Sequence, residues 1–325
     1  MENYAAAAAG NIDLQRALLA LSNQNLPFNM GNTYFVIPTT HANYTDLVKK
    51  YQKKYSDGTE MIQTSLPNAI TACTAARGDV IYVAPGYALT VTSSNLTLSK
   101  SGVTIIGLGN GLARPTLTFG AAAATVNVTA ANVTITGFHH IANFLNVAAA
   151  YTLAAAKDFR IENNTFEDTS SSLNFVSMLV TGSTDNDADG LNVIANRFRG
   201  LATSPNAFIS ILAAEKRVRI LDNRVYMAAT NDVGHFLTLS SKIMTGIEIS
   251  RNRLVVVGAT NATVGIFLTG SGTTSTGIVE NNYVSSLDTT SELISTAGTG
   301  LVFFENYYTG TADASGKLWP VVDAA

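Results

Sequence analysis

A pattern of apolar positions interrupted by one asparagine returns along the second half of the chain. It is clearest between Ile247 and Leu254, where Ile247, Ile249 and Leu254 are apolar and Asn252 stands between the last two. Further copies follow at intervals of roughly 28 residues, and their asparagines are Asn164, Asn196, Asn223, Asn282 and Asn306. Such a repeat predicts a solenoid, in which one elongated domain grows by adding similar turns.

In every copy three positions share one side of the chain: five and three residues before the asparagine, and two residues after it. This alternation is typical of a β-strand with one buried face. The positions are Phe159, Ile161, Phe166, Leu191, Val193, Phe198, Val218, Ile220, Val225, Ile247, Ile249, Leu254, Gly277, Val279, Val284, Leu301, Phe303 and Tyr308. Only Gly277 and Tyr308 are not plainly apolar. Residues 103–105 and 133–135 keep the apolar pair and are interpreted as earlier turns, with Leu108 and Phe138 in place of the asparagine.

A second strand-like segment recurs between the copies, at residues 208–211, 236–239, 264–268 and 292–294. Each turn therefore contains at least two strands, and equivalent strands of successive turns should pair in parallel. Leucine-rich repeats also have an asparagine at a bend. They need a leucine upstream, where this chain has residues such as Ala156 and Glu215, and a helix where this chain is β-branched and Gly-rich. The pattern favours an all-β fold: a single-stranded right-handed parallel β-helix (solenoid).

Asparagine has two physical reasons to recur in such a fold. It tolerates a left-handed bend better than other residues with a side chain. Turns stacked about 4.8 Å apart also let side-chain amides form a hydrogen-bonded ladder along the axis. Eight copies from Val103 onward predict a column about 38 Å long.

Short helices are predicted ahead of the column, at residues 11–22, from Thr45 onward with Tyr51 and Tyr55 facing inward, and from Ser65 to Gly78. The last one would cover the open end of the hydrophobic column. We therefore expect residues 1–31 to form an arm with a helix, residues 32–310 to form the β-helix with its capping helices, and residues 311–325 to form a tail outside the repeat.

Composition narrows the classes of partner. Charged residues make up 13% of the chain, the net charge is −3 and the isoelectric point is about 5.8, so nothing favours binding to nucleic acid or to an acidic membrane. The single cysteine, Cys73, excludes an internal disulfide framework. Neither a signal peptide nor a membrane span is predicted. No cofactor motif is present.

Catalytic or metal-binding residues of such a fold would lie at the outward positions. No two adjacent turns place two acids in the same outward column, which favours a non-enzymatic protein, although acid pairs drawn from different columns remain open. Residues 185–190 resemble the start of a calcium loop, with Asp185, Asp187 and Asp189 as candidate ligands. Position twelve of that loop is Asn196 instead of a glutamate, so a simple turn is favoured over a metal site.

Two outward sets are candidates for an interface or ligand face. The first set could bind an anionic glycan, pair with acids of a neighbouring subunit, or stay solvated, and it comprises Arg197, Arg224, Arg253, Tyr283 and Tyr307. The second set is apolar and is expected to be covered by a partner subunit or by the chain's own tail; it comprises Ile194, Leu221, Ile278, Val302 and Phe304.

Residues 78–86 (GDVIYVAPG) followed by residues 103–111 (VTIIGLGNG) resemble the first strands of the pectate-lyase-like right-handed β-helix superfamily. The longer segment at residues 103–119, VTIIGLGNGLARPTLTF, is similar to β-helix proteins that tailed bacteriophages encode among their virion genes. The similarity covers roughly residues 32–308. The superfamily contains lyases, hydrolases, tailspikes and purely structural proteins, so the resemblance alone implies the fold more strongly than the role.

The resemblance implies a structural virion protein of a tailed phage, made in the host cytoplasm. The most concrete form is a trimeric decoration (cement) protein that docks on the outer surface of the head, with itself and the major capsid protein or another virion protein as partners. One alternative is a tailspike-type β-helix that binds or cleaves a glycan. A second alternative is a tail or baseplate fibre module.

Overall fold

The fold was analysed in a computed structural model, which describes residues 31–93, 95–201, 206–228, 234–239, 242–256, 266–269, 275–286, 294–297, 300–310 and 313–319. The helix expected at residues 11–22 lies outside the described residues, as does almost the whole arm. Within the described part, no helix is long and apolar enough to cross a membrane.

The strands form three sheets. Sheet I contains β1 (Thr33–Val36), β2 (Ile62–Gln63), β3 (Val80–Val83), β6 (Thr104–Gly107), β9 (Thr134–Thr136), β12 (Arg160–Glu162), β15 (Asn192–Ile194), β18 (Arg219–Leu221), β21 (Thr245–Ser250), β24 (Thr276–Glu280) and β27 (Gly300–Phe304). Sheet II contains β4 (Ala88–Val91), β7 (Thr116–Phe119), β10 (His139–Ala142), β13 (Thr165–Asp168), β16 (Arg197–Gly200), β19 (Arg224–Met227), β22 (Arg253–Val256), β25 (Tyr283–Ser286), β28 (Asn306–Gly310) and β29 (Asp313–Trp319). Sheet III contains β5 (Thr97–Leu98), β8 (Val126–Val128), β11 (Tyr151–Leu153), β14 (Ser177–Thr181), β17 (Asn206–Ile211), β20 (Gly234–Leu239), β23 (Ile266–Thr269) and β26 (Ile294–Ala297).

The chain visits the three sheets in turn, so that β3, β4 and β5 make one coil and each later coil repeats this order. Every strand from β3 to β28 pairs in parallel with its equivalents in the adjacent coils, as from β12 to β15 and from β13 to β16. The predicted parallel β-helix is confirmed. Of the predicted tail, β29 runs antiparallel to β28 at the end of sheet II.

The repeated motif around each asparagine is not one strand, as the alternation suggested. It is the end of a sheet I strand and the start of a sheet II strand, joined at a sharp corner. The corner residue immediately before each repeat asparagine has a positive φ, as at Asn163 (53°), Ala195 (55°) and Asp222 (58°). The left-handed bend that we expected at the asparagine therefore falls one residue earlier. This break ends the sheet I strand and starts the sheet II strand.

The repeat asparagines form a buried ladder, which we call the asparagine ladder: Asn164, Asn196, Asn223, Asn252, Asn282 and Asn306. Within it, the backbone N–H of each asparagine donates to the Oδ1 of the next at 3.0–3.1 Å. Each Nδ2 also donates to a carbonyl of the preceding coil, at 2.7–3.1 Å. The backbone and side-chain amides of the ladder thus have hydrogen-bond partners inside the protein, which explains why asparagine recurs here.

The predicted inward positions fill one continuous core. Phe159, Ile161 and Phe166 are fully buried, and their equivalents in the next three coils are at most 3% exposed, whereas Leu301 and Phe303 in the last coil are partly buried. One polar residue joins them: His140 stacks on Phe166 with ring centroids 4.2 Å apart, and its Nε2 lies 2.7 Å from the hydroxyl of Tyr151. Burial lowers the pKa of His140 to about 3, so this is a neutral core histidine.

Two short helices precede the column in the described residues, α1 (Tyr44–Tyr51) and α2 (Leu66–Ala72). Helix α2 begins at Ser65, whose Oγ accepts from the N–H of Asn68, and it packs Leu66 and Ile70 onto the core beside β1 and β3. Both helices end earlier than predicted. Tyr55 therefore lies beyond α1, where its hydroxyl bonds to the backbone of Thr33.

Candidate anion-binding face on sheet II

The predicted column of basic and aromatic residues exists as a straight row on sheet II. Each member pairs in register with the next, from Arg197 on β16 through Arg224 and Arg253 to Tyr283 and Tyr307 on β28. Since their inward neighbours Phe198, Val225 and Leu254 are buried, these side chains are turned away from the core. The guanidinium of Arg253 lies over the ring of Tyr283, 5.4 Å from its centroid.

A second outward row runs beside the first, two residues further along each strand. It carries Glu167, Arg199, Tyr226 and Val255 in register. Between the two rows lies a groove of about 440 Å³ lined by Arg197, Arg224, Arg253, Tyr226 and Val255. The parallel stacking of coils makes this groove run along the axis of the solenoid.

A cleft of about 340 Å³ continues this groove toward the amino-terminal coils and shares Arg197 with it. Its roof is Arg114, which follows a short 3₁₀ helix (Gly111–Ala113) in the connection between β6 and β7. The Arg114 guanidinium donates to the carbonyl oxygen of Asn163 at 3.0 Å and to its Oδ1 at 3.2 Å, two coils away. His139 and Glu167 complete the lining.

Positive charge is in excess on this face. The acid there, Glu167, is paired with Arg199 at 2.6 Å and lies 3.3 Å from His139 Nε2. Within the described residues, Arg197, Arg224 and Arg253 have no acidic partner. Burial, and secondarily the charge of Arg197, lowers the pKa of Arg114. The cleft and groove are therefore suited to an anion.

Other acids form ion pairs or bind backbone groups. Asp222 pairs with Arg251 at 2.9 Å, and Glu248 pairs with Arg219 at 2.7 Å on sheet I. Asp168 is buried, and its two oxygens accept the N–H groups of Phe175 and Leu201. Of the two acids that are adjacent in sequence, Glu167 thus forms an ion pair between coils, and Asp168 is a buried carboxylate that binds backbone groups.

Two of the three candidate calcium residues, Asp185 and Asp189, bind backbone groups of the next coil. Asp185 accepts from the N–H of Ala214, and Asp189 accepts from the N–H of Lys216. Beside them the buried Glu215 accepts from Ala188, and burial raises its pKa to about 7, helped by Asp189 and Asp187. In the part of the chain described, no group of three or more His, Cys, Asp or Glu is placed to hold a metal ion.

The outward apolar set divides in two. Ile278, Val302 and Phe304 are exposed, by 45%, 60% and 54%, and Ile278 pairs in register with Val302 at the carboxyl end of sheet I. Ile194 is half-buried and Leu221 is only 5% exposed. Leu221 was expected to face outward and to be covered by a partner subunit or by the tail; it precedes the sharp corner at Asp222 and is already buried within the single chain.

Two features of the site region were not predicted from the sequence: the Arg114 roof and the buried Glu215. Arg114 is part of a segment noted only for its resemblance to other proteins, and its contact with Asn163 spans 49 residues. Glu215 stands outside the repeated positions. An acidic residue between two alanines and two basic residues, AAEKR at 213–217, was the signal available for it.

Comparisons with known proteins give little beyond the fold. No family model matches the chain, and no curated protein matches it. A pectin methylesterase from Aspergillus niger is structurally similar with a TM-score of 0.47 and 14% identity, over 90% of this chain and 89% of that one. ORF18 of Geobacillus virus E2 is similar with a TM-score of 0.33 and 11% identity, over 75% of this chain and 57% of that one. Likeness at these values supports no functional conclusion.

Proposed function

We propose that the chain is a structural virion protein of a tailed phage, acting as a trimeric decoration protein on the outer surface of the head. Its subunits associate through the exposed apolar end of sheet I, and the trimer binds the major capsid protein or another virion protein. The phage-like segment at residues 103–119 suggests this role.

The observation that carries the proposal is the exposure of Ile278, Val302 and Phe304 on one sheet face. Three large apolar side chains on adjacent strands are costly to leave in water. A closed ring of identical subunits covers such a face once in every copy. The asparagine ladder adds stiffness along the coils from Asn164 to Asn306, as a spike or cement protein requires.

Co-sedimentation with phage heads tests the proposal. Purified chain is mixed with heads of the encoding phage from which the protein has been removed, and bound chain is counted per capsid subunit. Saturable binding in multiples of three supports the proposal. Failure to bind heads, or recovery of the native protein only from tails, would refute the decoration role and favour a tail or baseplate fibre module.

A second candidate is a tailspike-type protein that binds or cleaves a glycan. The specific observation in its favour is the in-register row from Arg197 to Tyr307, with arginines that lack acidic partners among the described residues. Incubation with host capsular polysaccharide or lipopolysaccharide tests it, with retained glycan indicating binding and new reducing ends or unsaturated products indicating cleavage.

A further inference from the structure

We propose that the groove on sheet II, which meets the cleft under Arg114 at Arg197, is a binding site for an extended acidic polysaccharide. This inference rests on the second candidate function and makes it specific, because it names the ligand class and the residues that hold the ligand. The site consists of Arg114, Arg197, Arg224, Arg253 and Tyr226.

The first argument is the spacing of the charges. Arg197, Arg224 and Arg253 come from three consecutive coils and pair in register, so their backbones repeat at about 4.8 Å along a straight line. A row of regularly spaced guanidinium groups matches a polymer that repeats an anionic group along its length. A compact anion would engage one or two of them and leave the others unpaired.

The second argument is continuity. Arg197 lines both the cleft under Arg114 and the groove beside Tyr226, so the two depressions form one path along the axis. Arg114 is held over the cleft by its bonds to Asn163, two coils away. An extended chain can therefore lie in the groove and continue into the cleft.

The third argument concerns ligand class. Tyr226, Tyr283 and Tyr307 offer ring faces for sugar C–H groups and hydroxyls for sugar hydroxyls, beside arginines that bind carboxylates in a bidentate manner. The whole chain has a net charge of −3, so its long-range field attracts neither an acidic polysaccharide nor a nucleic acid. Binding must then come from local contacts with both acid and sugar.

Calorimetric titration with defined oligosaccharides tests the site. The probes are an octasaccharide of sialic acid, a dextran octasaccharide as the neutral arm, and an octamer of thymidylate as the nucleic-acid arm. We expect the acidic octasaccharide to bind and to weaken at least about tenfold when Arg224 is replaced, Arg224→Gln. Binding should also weaken between about 50 and 200 mM salt.

The matched control is Arg219→Gln, which makes the same change in net charge from the neighbouring strand of sheet I. It should change the affinity by less than about twofold. Arg224→Lys, which keeps the charge, should recover part of the lost affinity. Equal melting temperatures of the three variants exclude unfolding as the cause.

The outcomes that overturn the proposal are distinct. Equal binding of dextran, unaffected by Arg224→Gln, would leave glycan binding standing and remove the acidic groove. Absence of binding by either oligosaccharide would remove the second candidate function as well. Tighter binding of thymidylate than of the acidic octasaccharide would replace the ligand class with nucleic acid.

Discussion

At the scale of single residues, the adjacent asparagines Asn281 and Asn282 have different structural roles. Asn282 is buried in the asparagine ladder, where its Oδ1 accepts from Asn252 and its Nδ2 donates to Ile249 and to Asn306. Asn281 is exposed and holds the left-handed corner, with a φ of 54°. The equivalent corner residues in other coils are Ala195, Asp222 and Arg251, so the corner does not require one type of side chain.

We expect Asn282→Ala to lower the free energy of unfolding by about 2–4 kcal/mol, because it leaves buried donors and a carbonyl without partners. The matched change Asn281→Ala should cost no more than about 1 kcal/mol. Urea denaturation followed by circular dichroism measures both. Equal losses would show that the ladder is not what selects asparagine.

His140 predicts a pH dependence of stability. Its folded pKa of about 3 lies below the ordinary 6.5, so the unfolded chain binds the proton more readily. The stability is full above pH 6.5 and is lost as the pH falls toward 3, by about 2–3 kcal/mol at pH 4.5. The double variant His140→Phe with Tyr151→Phe should lack this loss. The measurement is the difference in the free energy of unfolding between wild type and variant, in which the titration of Glu215 cancels because both proteins contain it. A difference that stays constant from pH 7 to about 4.5 would contradict the assignment.

At the scale of the secondary-structure element, the pattern of apolar positions was sufficient to predict which side of each strand is buried. Alternation reports burial directly, since every second side chain enters the core. The corner could not be located in the same way, because its residues are as different as Ala195, Asp222 and Arg251. The stacked coils impose the bend there, and no single residue type signals it.

The candidate site residues inside the repeat could likewise be predicted, whereas those outside it could not. The row from Arg197 to Tyr307 could be predicted because its members keep a fixed distance from the asparagine in every coil. Arg114 could not, because its contact with Asn163 depends on how an irregular connection folds over two coils. The burial of Leu221 within the single chain could not be predicted, because an outward position beside a corner does not fix its access to solvent.

Strand β24 provides a test at this scale, because Gly277 stands where the other coils have a larger apolar residue. It has a φ of 146°, and a Cβ there would overlap the carbonyl oxygen of Ile247 on β21. We expect Gly277→Ala to destabilise the protein by about 2–3 kcal/mol. Gly246→Ala, which also has a positive φ but open space around it, should cost about 1 kcal/mol. Thermal melts that rank the two in the opposite order would contradict this packing.

At the scale of the whole molecule, two faces of one rigid column have different character. Sheet I ends in exposed apolar side chains, whereas sheet II presents arginines and tyrosines along a groove. Because the faces are separate, self-association and ligand binding can be tested independently. The association of subunits is the central claim, because the proposal assigns the exposed apolar face to contacts between subunits.

The molar mass in solution, measured by size-exclusion chromatography with light scattering, tests that claim most directly. We expect the wild-type protein to have about three times the 34.2 kDa mass of one chain. The double variant Val302→Ser with Phe304→Ser should return to the mass of one chain, whereas Leu112→Ser, which removes an exposed apolar side chain from the β6–β7 connection, should remain trimeric. A wild-type mass of 34.2 kDa, or a trimer that the double variant leaves intact, would contradict the account.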